Sequence, residues 1–289
     1  MWPTCFRHWG IDILLYFAAS VDAENSYKDA CFQAMEVVRE AAAYTRDRHL
    51  HGTHLNIEAK GRHNFVTEVD RRAEEILVAG LSRIIPGSGF ITEEGTSNHR
   101  GDRFNWVIDP VDGTTNFIHG VFPFAISVGL LDGEEVVAGV VYEYGLDETF
   151  YTWKGGGAWL NGDPIRVSGV DRIEQSLIAT GFPYTDFRYL DQFLESIRHF
   201  MKHSHGLRRL GSAATDIAYV ACGRYDGFYE YGLNPWDIAA GILLVNEAGG
   251  EVSDFAGNRH PLFREDIVCS NGHIHKEFRE TTCKIMLDQ

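Results

Sequence analysis

Trp106-Val107-Ile108-Asp109-Pro110-Val111-Asp112-Gly113-Thr114-Thr115-Asn116 is the most informative stretch of the 289-residue chain. Trp106, Val107 and Ile108 form an apolar run that ends at Asp109. Pro110 has no N–H to give to a ladder, so the spacing predicts that the strand stops there. Asp109 and Asp112 can then face one point from a tight loop. Gly113 lets the backbone approach a ligand closely. Thr114 and Thr115 open the next segment as a helix, whose free N–H groups would face an anion held by a cation on the aspartates. As structure alone, the string is a strand end followed by an Asp-Gly turn. Two acids, Pro, Gly and Thr in this order favour a cation and a phosphate sharing one loop.

Working outward, Glu93-Glu94-Gly95 follows the Phe90-Ile91 strand. A carboxylate there would join the same cations, although an isolated Glu-Glu pair is commonly just solvated. Thr67-Glu68-Val69-Asp70 has the form of a capping box, which leaves Asp70 open between helix cap and site acid. Asn234-Pro235-Trp236-Asp237 precedes an apolar helix. Asn caps, Pro takes the first helical position and Asp237 is the capping partner, so the motif by itself favours capping over metal binding.

Ser26-Tyr27-Lys28-Asp29 reads as a capping box opening a first helix, with Ala30, Ala34, Val37, Val38 and Ala41 at helical spacing. Val69, Ala73, Ile76 and Leu77 mark a second helix. Short β-rich runs follow at 90–91, 106–108, 125–131, 136–142 and 149–153, with Asp132-Gly133 as a hairpin turn. This predicts antiparallel sheet with helices packed on it. Beyond about residue 168 the order alternates: strands at 176–179, 227–231 and 267–270, helices at 187–203, 212–221 and 236–248, an α/β texture. The expected division is an extension at 1–26 outside the fold, an α+β lobe at 27–167 with most metal ligands, and an α/β lobe at 168–289 completing the site. The apolar run Ile11 to Ala19 faintly resembles a signal-peptide core, but Asp12 interrupts it and it is too short to span a bilayer.

The net charge of −15 argues against duplex nucleic acid as the main partner, since such binding draws on Lys and Arg. Excess carboxylate suits hard cations, although most of it is solvated surface. The cysteines are Cys5, Cys31, Cys222, Cys269 and Cys283, an odd number without C-x-x-C spacing. That speaks against a disulfide framework or zinc site and for a reducing, cytoplasmic setting. There is no G-x-x-x-x-G-K-[ST] loop and no G-x-S-x-G elbow. His49, His51 and His54, and likewise His203 and His205, read as surface histidines.

These motifs together resemble the inositol monophosphatase family. The stretch 106–117 matches one family signature. Asn234-Pro235-Trp236-Asp237-Ile238-Ala239-Ala240-Gly241, followed by Glu247-Ala248-Gly249-Gly250, matches another. Phe65 to Asp70, Ile91 to Glu94 and Gly211-Ser212-Ala213-Ala214 fall in family order, and the likeness runs from about residue 28 to the C-terminus. The resemblance implies a layered αβαβα sandwich of the inositol monophosphatase and fructose-bisphosphatase type. It implies two to three Mg2+ per site on Glu93, Asp109, Asp112, Asp237 and the Val111 carbonyl, with Asp70 and Thr114 activating water for in-line displacement and Glu93 contributing to catalysis. Asp112, Gly113, Thr114, Gly211, Ser212, Ala213, Glu230 and Asp237 would bind a small phosphorylated polyol, most simply myo-inositol 1-phosphate, and Lys60 matches a family lysine near the metals. Lithium inhibition and a homodimer are also implied, with no membrane partner. Same-fold alternatives take fructose bisphosphate, bisphosphate nucleotides, NADP or histidinol phosphate, and some bacterial relatives also bind transcription or ribosome-assembly machinery.

Overall fold

The computed structural model describes residues 9–51, 57–61, 64–184 and 186–287, with only the backbone described at 9–25, 51, 57, 59–61 and 64–66. Helix α1 (Trp9–His51) runs through Ser26 without a break, so the capping box expected to open it lies inside it. No Gly or Pro stands between Ile11 and His51. Nothing in the chain therefore stops helix propagation upstream of the cap signal. Ala30, Ala34, Val38 and Ala41 are buried along one face.

β1 (Ile57–Gly61) and β2 (Asn64–Thr67) form a separate antiparallel pair. Thr67 then caps α2 (Glu68–Ile84), which buries Val69, Ala73, Leu77 and Leu81. The chain continues through β3 (Gly89–Thr92), β4 (Phe104–Asp112), the short α3 (Thr114–His119), β5 (Ala125–Asp132), β6 (Glu135–Glu143), β7 (Glu148–Trp153), β8 (Ala158–Leu160) and β9 (Asp163–Ile165). These strands form one seven-stranded sheet in sequence order. It is antiparallel throughout except for the parallel β3–β4 pair.

The rest of the chain is β10 (Leu177–Thr180), α4 (Leu190–His203), β11 (Gly206–Arg208), α5 (Ala213–Ala221), β12 (Gly227–Tyr231), α6 (Pro235–Glu247), β13 (Glu251–Ser253), β14 (Asp266–Ser270) and α7 (His275–Met286). The five-stranded sheet has the order β11-β10-β12-β14-β13. β10 is parallel to β11 and β12, and β14 is antiparallel to both its neighbours.

Packing sets the layers. α1 and α2 cover one face of the large sheet, and α5 and α6 lie between the two sheets. α4 and α7 pair on the outer face of the small sheet. The result is an αβαβα sandwich. An apolar stripe suffices for an outer helix, but α6 touches sheet on both sides, so Ile238 to Val245 is buried all round. The mouth of the site lies where the ends of β3, β4 and β12 meet the starts of α2, α3, α5 and α6.

Candidate active site

β4 does not stop at Pro110. It continues to Asp112, with an irregularity in its pairing to β5: Asp109 faces Ser127 and Asp112 faces Ala125. Three steps on one strand thus match two on the other, which is a β-bulge. Pro110 falls inside the bulge, where the ladder is interrupted and a missing N–H costs little. The bulge also decides the chemistry. In a regular strand, residues three apart point to opposite faces. Here the extra residue turns both carboxylates toward one place.

Asp237, from the first turn of α6, meets them there. One oxygen from each of Asp109, Asp112 and Asp237 lies within 4.8 Å of the others, and all three residues are buried. Glu93, just past β3, is tied by its N–H to the Ile108 carbonyl at 3.2 Å and hydrogen-bonds the Asp109 carboxyl. The Val111 N–H donates to Asp109 Oδ1 at 2.9 Å.

The capping motifs serve two purposes at once. Asp70 Oδ2 accepts the Thr67 N–H at 2.9 Å, closing the capping box of α2. Asp70 Oδ1 accepts the Thr114 hydroxyl at 3.1 Å. The same hydroxyl lies 3.0 Å from the Val111 carbonyl. Asp237 Oδ2 accepts the Asn234 N–H at 2.7 Å while Asp237 belongs to the acidic cluster. A carboxylate has two oxygens, so cap and site do not compete.

Gly113 caps α3 with φ 91°, a left-handed conformation open to glycine. Asp112 Oδ2 reaches across to α5, accepting Ser212 Oγ–H at 2.6 Å and the Ala214 N–H at 2.8 Å. Ser212 is the N-cap of α5. Gly211, Ser212 and Ala213 line a cavity of about 470 Å³ together with the acids, Gly113, Thr114 and Glu230. Lys60 sits on β1, and its side chain lies outside the described residues.

Electrostatically the site is under stress. Burial pushes Asp112 up to about 6 and Asp237 up to about 7. Asp109 is raised well above its ordinary range by burial and then by repulsion from Glu93, Asp112 and Asp237. Buried like charges at this spacing need protons or a cation. An all-oxygen donor set of carboxylates suits a hard divalent ion. The residues present therefore fit a magnesium-type cation.

Four neighbours were not singled out in the sequence. Glu74, fully buried on α2, accepts the N–H groups of Glu94 at 2.8 Å and Thr96 at 2.7 Å, and so fixes the Glu93 loop. Its signal was its place four residues after Asp70, on the same helix face. Asn116 Nδ2 donates to the carbonyls of Pro123 at 2.7 Å and Leu210 at 2.9 Å, linking α3 to the loop before α5. Asp216 is 1% exposed, lines the cavity and has an Oδ1 without a hydrogen-bond partner among the described residues. A lone acid inside the apolar run of α5 was the readable sign. Arg209, also lining the cavity, had none.

A profile of the inositol monophosphatase family matches residues 24–287. The chain belongs to the inositol monophosphatase family. Among its members, an inositol-1-monophosphatase of Mesorhizobium japonicum is 44% identical over 223 residues, spanning 77% of this chain and 84% of that protein. A fructose-1,6-bisphosphatase/inositol-1-monophosphatase of Thermotoga maritima is 43% identical over 223 residues, spanning 77% and 84%. The crystal structure of extragenic suppressor protein suhB from Bartonella henselae superposes with TM-score 0.82 at 38% identity, covering 86% of this chain and 96% of that one. As an inositol monophosphatase family member, the chain is a phosphoric monoester hydrolase, and the buried acidic cluster lies in its cavity. Among the described residues, no helix is long and apolar enough to cross a membrane.

Proposed function

We propose that this phosphatase hydrolyses phosphate monoesters of small polyols, with myo-inositol 1-phosphate as the principal substrate and magnesium as the cation. The observation carrying this reading is the meeting of Asp109, Asp112 and Asp237 beside the Thr114–Asp70 pair at the mouth of one cavity. Glu93, Asp109, Asp112, Asp237 and the Val111 carbonyl would hold two or three magnesium ions. Bound there, the cations would acidify water and offset charge on the phosphoryl oxygens.

The chain's own groups do the rest. The Thr114 hydroxyl has one hydrogen and two acceptors, Asp70 Oδ1 and the Val111 carbonyl. When the carbonyl is engaged as a ligand, that hydrogen goes to Asp70. The Oγ1 lone pairs are then free to orient and deprotonate a water, with Asp70 taking the relayed proton. Burial raises the pKa of Asp70, which makes it a better base near neutrality. Ser212 and the Ala214 N–H hold the Asp112 carboxylate still during the reaction. Glu230, also buried, faces the cavity and would accept hydrogen bonds from substrate hydroxyls. Residues 27–167 supply most ligands in this reading, and 168–289 supply Asp237, Glu230 and the Gly211-Ser212-Ala213 wall. Lithium sensitivity and a homodimer go with it.

The test is phosphate release from myo-inositol 1-phosphate with magnesium and with chelator, beside a panel of sugar and nucleotide phosphates. Strong release only from another panel member would replace the substrate, and release unaffected by chelator would remove the cation. A binding role in transcription or ribosome assembly would appear as a cellular phenotype that persists in Asp112→Asn after activity is gone.

A further inference from the structure

A second cavity, of about 500 Å³, lies at the β13 edge of the small sheet and shares no lining residue with the first. Its wall comes from β13, the loop after it and the start of α7. Three cations face it, Arg259, Lys276 and Arg279, against two acids, Glu251 and Glu280. This excess of positive charge stands on a chain whose net charge is −15. Arg259 is spent on Glu251 at 2.7 Å. Arg279 Nη2 lies 3.4 Å from Glu280, and Lys276 forms no ion pair among the described residues. Gly257, left-handed at φ 100°, lets the Arg279 guanidinium lie against the backbone, since an added Cβ would sit 3.3 Å from Nη1.

At the floor, His275 is 3% exposed and holds a serine at each ring nitrogen: Ser253 Oγ is 3.1 Å from Nε2, and Ser270 Oγ is 3.1 Å from Nδ1. Burial keeps the imidazole below its ordinary pKa and so neutral. Two hydroxyls and one ring N–H then bring three hydrogens to two contacts, and one hydroxyl hydrogen is left over. Ser270 is fully buried, off the cavity, and already accepts the Gly272 N–H at 3.3 Å. A surplus hydrogen there would be stranded, which costs free energy. Ser270 therefore donates to Nδ1, Nε2–H donates to Ser253, and the surplus hydrogen is that of Ser253. Ser253 is 2% exposed and lines the cavity, with no acceptor for this hydrogen among the described residues.

We propose that this cavity binds a phosphate group, free or esterified on a small molecule, at a site separate from the reacting one. The Ser253 hydroxyl, the Lys276 ammonium and the Arg279 guanidinium supply the hydrogen bonds. Three donors of different kinds match the several oxygens of a phosphate better than the two of a carboxylate. α7 adds its first-turn N–H groups, since its N-cap Ile274 makes no side-chain cap bond. The inference is independent of the phosphatase reading above. The competing role is purely structural: Ser253 and His275 would only tie β13 and β14 to α7. That role predicts a lower melting temperature in Ser253→Ala and no anion binding in any form of the protein.

The experiment is equilibrium dialysis of the full chain against radiolabelled inorganic phosphate in chelator, where the acids of the first cavity repel anions. Wild type binds saturably. Lys276→Gln, Arg279→Gln and Ser253→Ala each weaken binding about tenfold, the scale of one hydrogen bond to a charged group. Lys276 is exposed, so its variant keeps the test sound should either of the others fold poorly. Asp112→Asn, in the first cavity, binds as wild type does. No saturable binding by wild type, or binding unchanged in both Lys276→Gln and Arg279→Gln, overturns the proposal. Binding altered in Asp112→Asn alone would put the anion in the first cavity and overturn it as well. Competitors then identify the source. Inositol 1-phosphate displacing the label as well as phosphate does shows that an esterified phosphate is accepted, and displacement by phosphate alone narrows the site to the free ion. Equal displacement by acetate at the same ionic strength would refute phosphate recognition.

Discussion

Thr114 and Asp70, 44 positions apart, are joined by a 3.1 Å hydrogen bond from the threonine hydroxyl to Oδ1. The other Asp70 oxygen closes the cap of α2, so the acid is held by the fold and offers one oxygen to the site. Thr114→Ala removes the site half only. It should lower kcat by about a hundredfold or more, the scale of a lost acid–base group. Magnesium affinity and melting temperature should stay near wild type. Asp70→Ala removes both halves and should also cost about 1 kcal/mol of stability through the lost cap. Paired kinetics and thermal unfolding distinguish the two, and an unaltered kcat in Thr114→Ala would take the hydroxyl out of the mechanism.

Asp109 lies at the centre of the acidic cluster, hydrogen-bonded to Glu93 and grouped with Asp112 and Asp237. Asp109→Asn removes one buried charge, which relieves repulsion and takes away a proposed ligand. The cation-free variant should melt at or above the temperature of cation-free wild type. Wild type should gain about 3 kcal/mol at a hundredfold excess of magnesium over its dissociation constant, and the variant close to none. A variant that gains as much as wild type would show that the cation sits elsewhere.

What the sequence reveals of such a site depends on how local the cause is. Asp70, Glu93, Asp109, Asp112 and Asp237 were all visible because each stands in a short motif at a strand end or helix start. The motif of Asp237 favours capping alone, whereas the residue also joins the acidic cluster, because a cap and a ligand can use the same residue at the same place and differ only in which oxygen is engaged. The end of β4 was misread at Pro110, because a bulge is a property of two strands and its partner, β5, lies further along the chain. Asn116 reaches Leu210 94 positions away, and Arg209 is marked by no local pattern. The start of α1 was misplaced at Ser26 because a cap signal permits a helix to begin without obliging it to.

Gly181 and Glu230 are in closer contact than any other side chain at that position would allow. A Cβ on Gly181 would lie 2.0 Å from Glu230 Oε1 and 2.1 Å from Oε2. In Gly181→Ala the flexible end of Glu230 must swing away from its place in the cavity. KM for inositol 1-phosphate should rise about tenfold, the value of one hydrogen bond to a charged group. Hydrolysis of a simple aryl phosphate, which has no hydroxyls to recognise, should suffer much less. Equal losses on both substrates would mean that Glu230 serves the catalytic core and not the polyol.

The buried acids also set a pH dependence whose sign follows from their shifts. Asp112 is pushed up from 3.8 to about 6 and Asp237 from 3.8 to about 7. Between these values the folded chain holds more protons than the unfolded one, so this share of stability is full below the ordinary carboxylate pKa and is lost as pH rises through about 6 and 7. Without cations, the melting temperature of wild type relative to the Asp112→Asn/Asp237→Asn double variant should therefore fall between about pH 5.5 and about pH 8. Magnesium held by these carboxylates would compete with the same protons, so its stabilising shift should be larger at the higher pH. Thermal unfolding of both proteins, in chelator and in magnesium, measures all four quantities. A magnesium shift of equal size at both pH values would show that these carboxyl groups do not hold the ion.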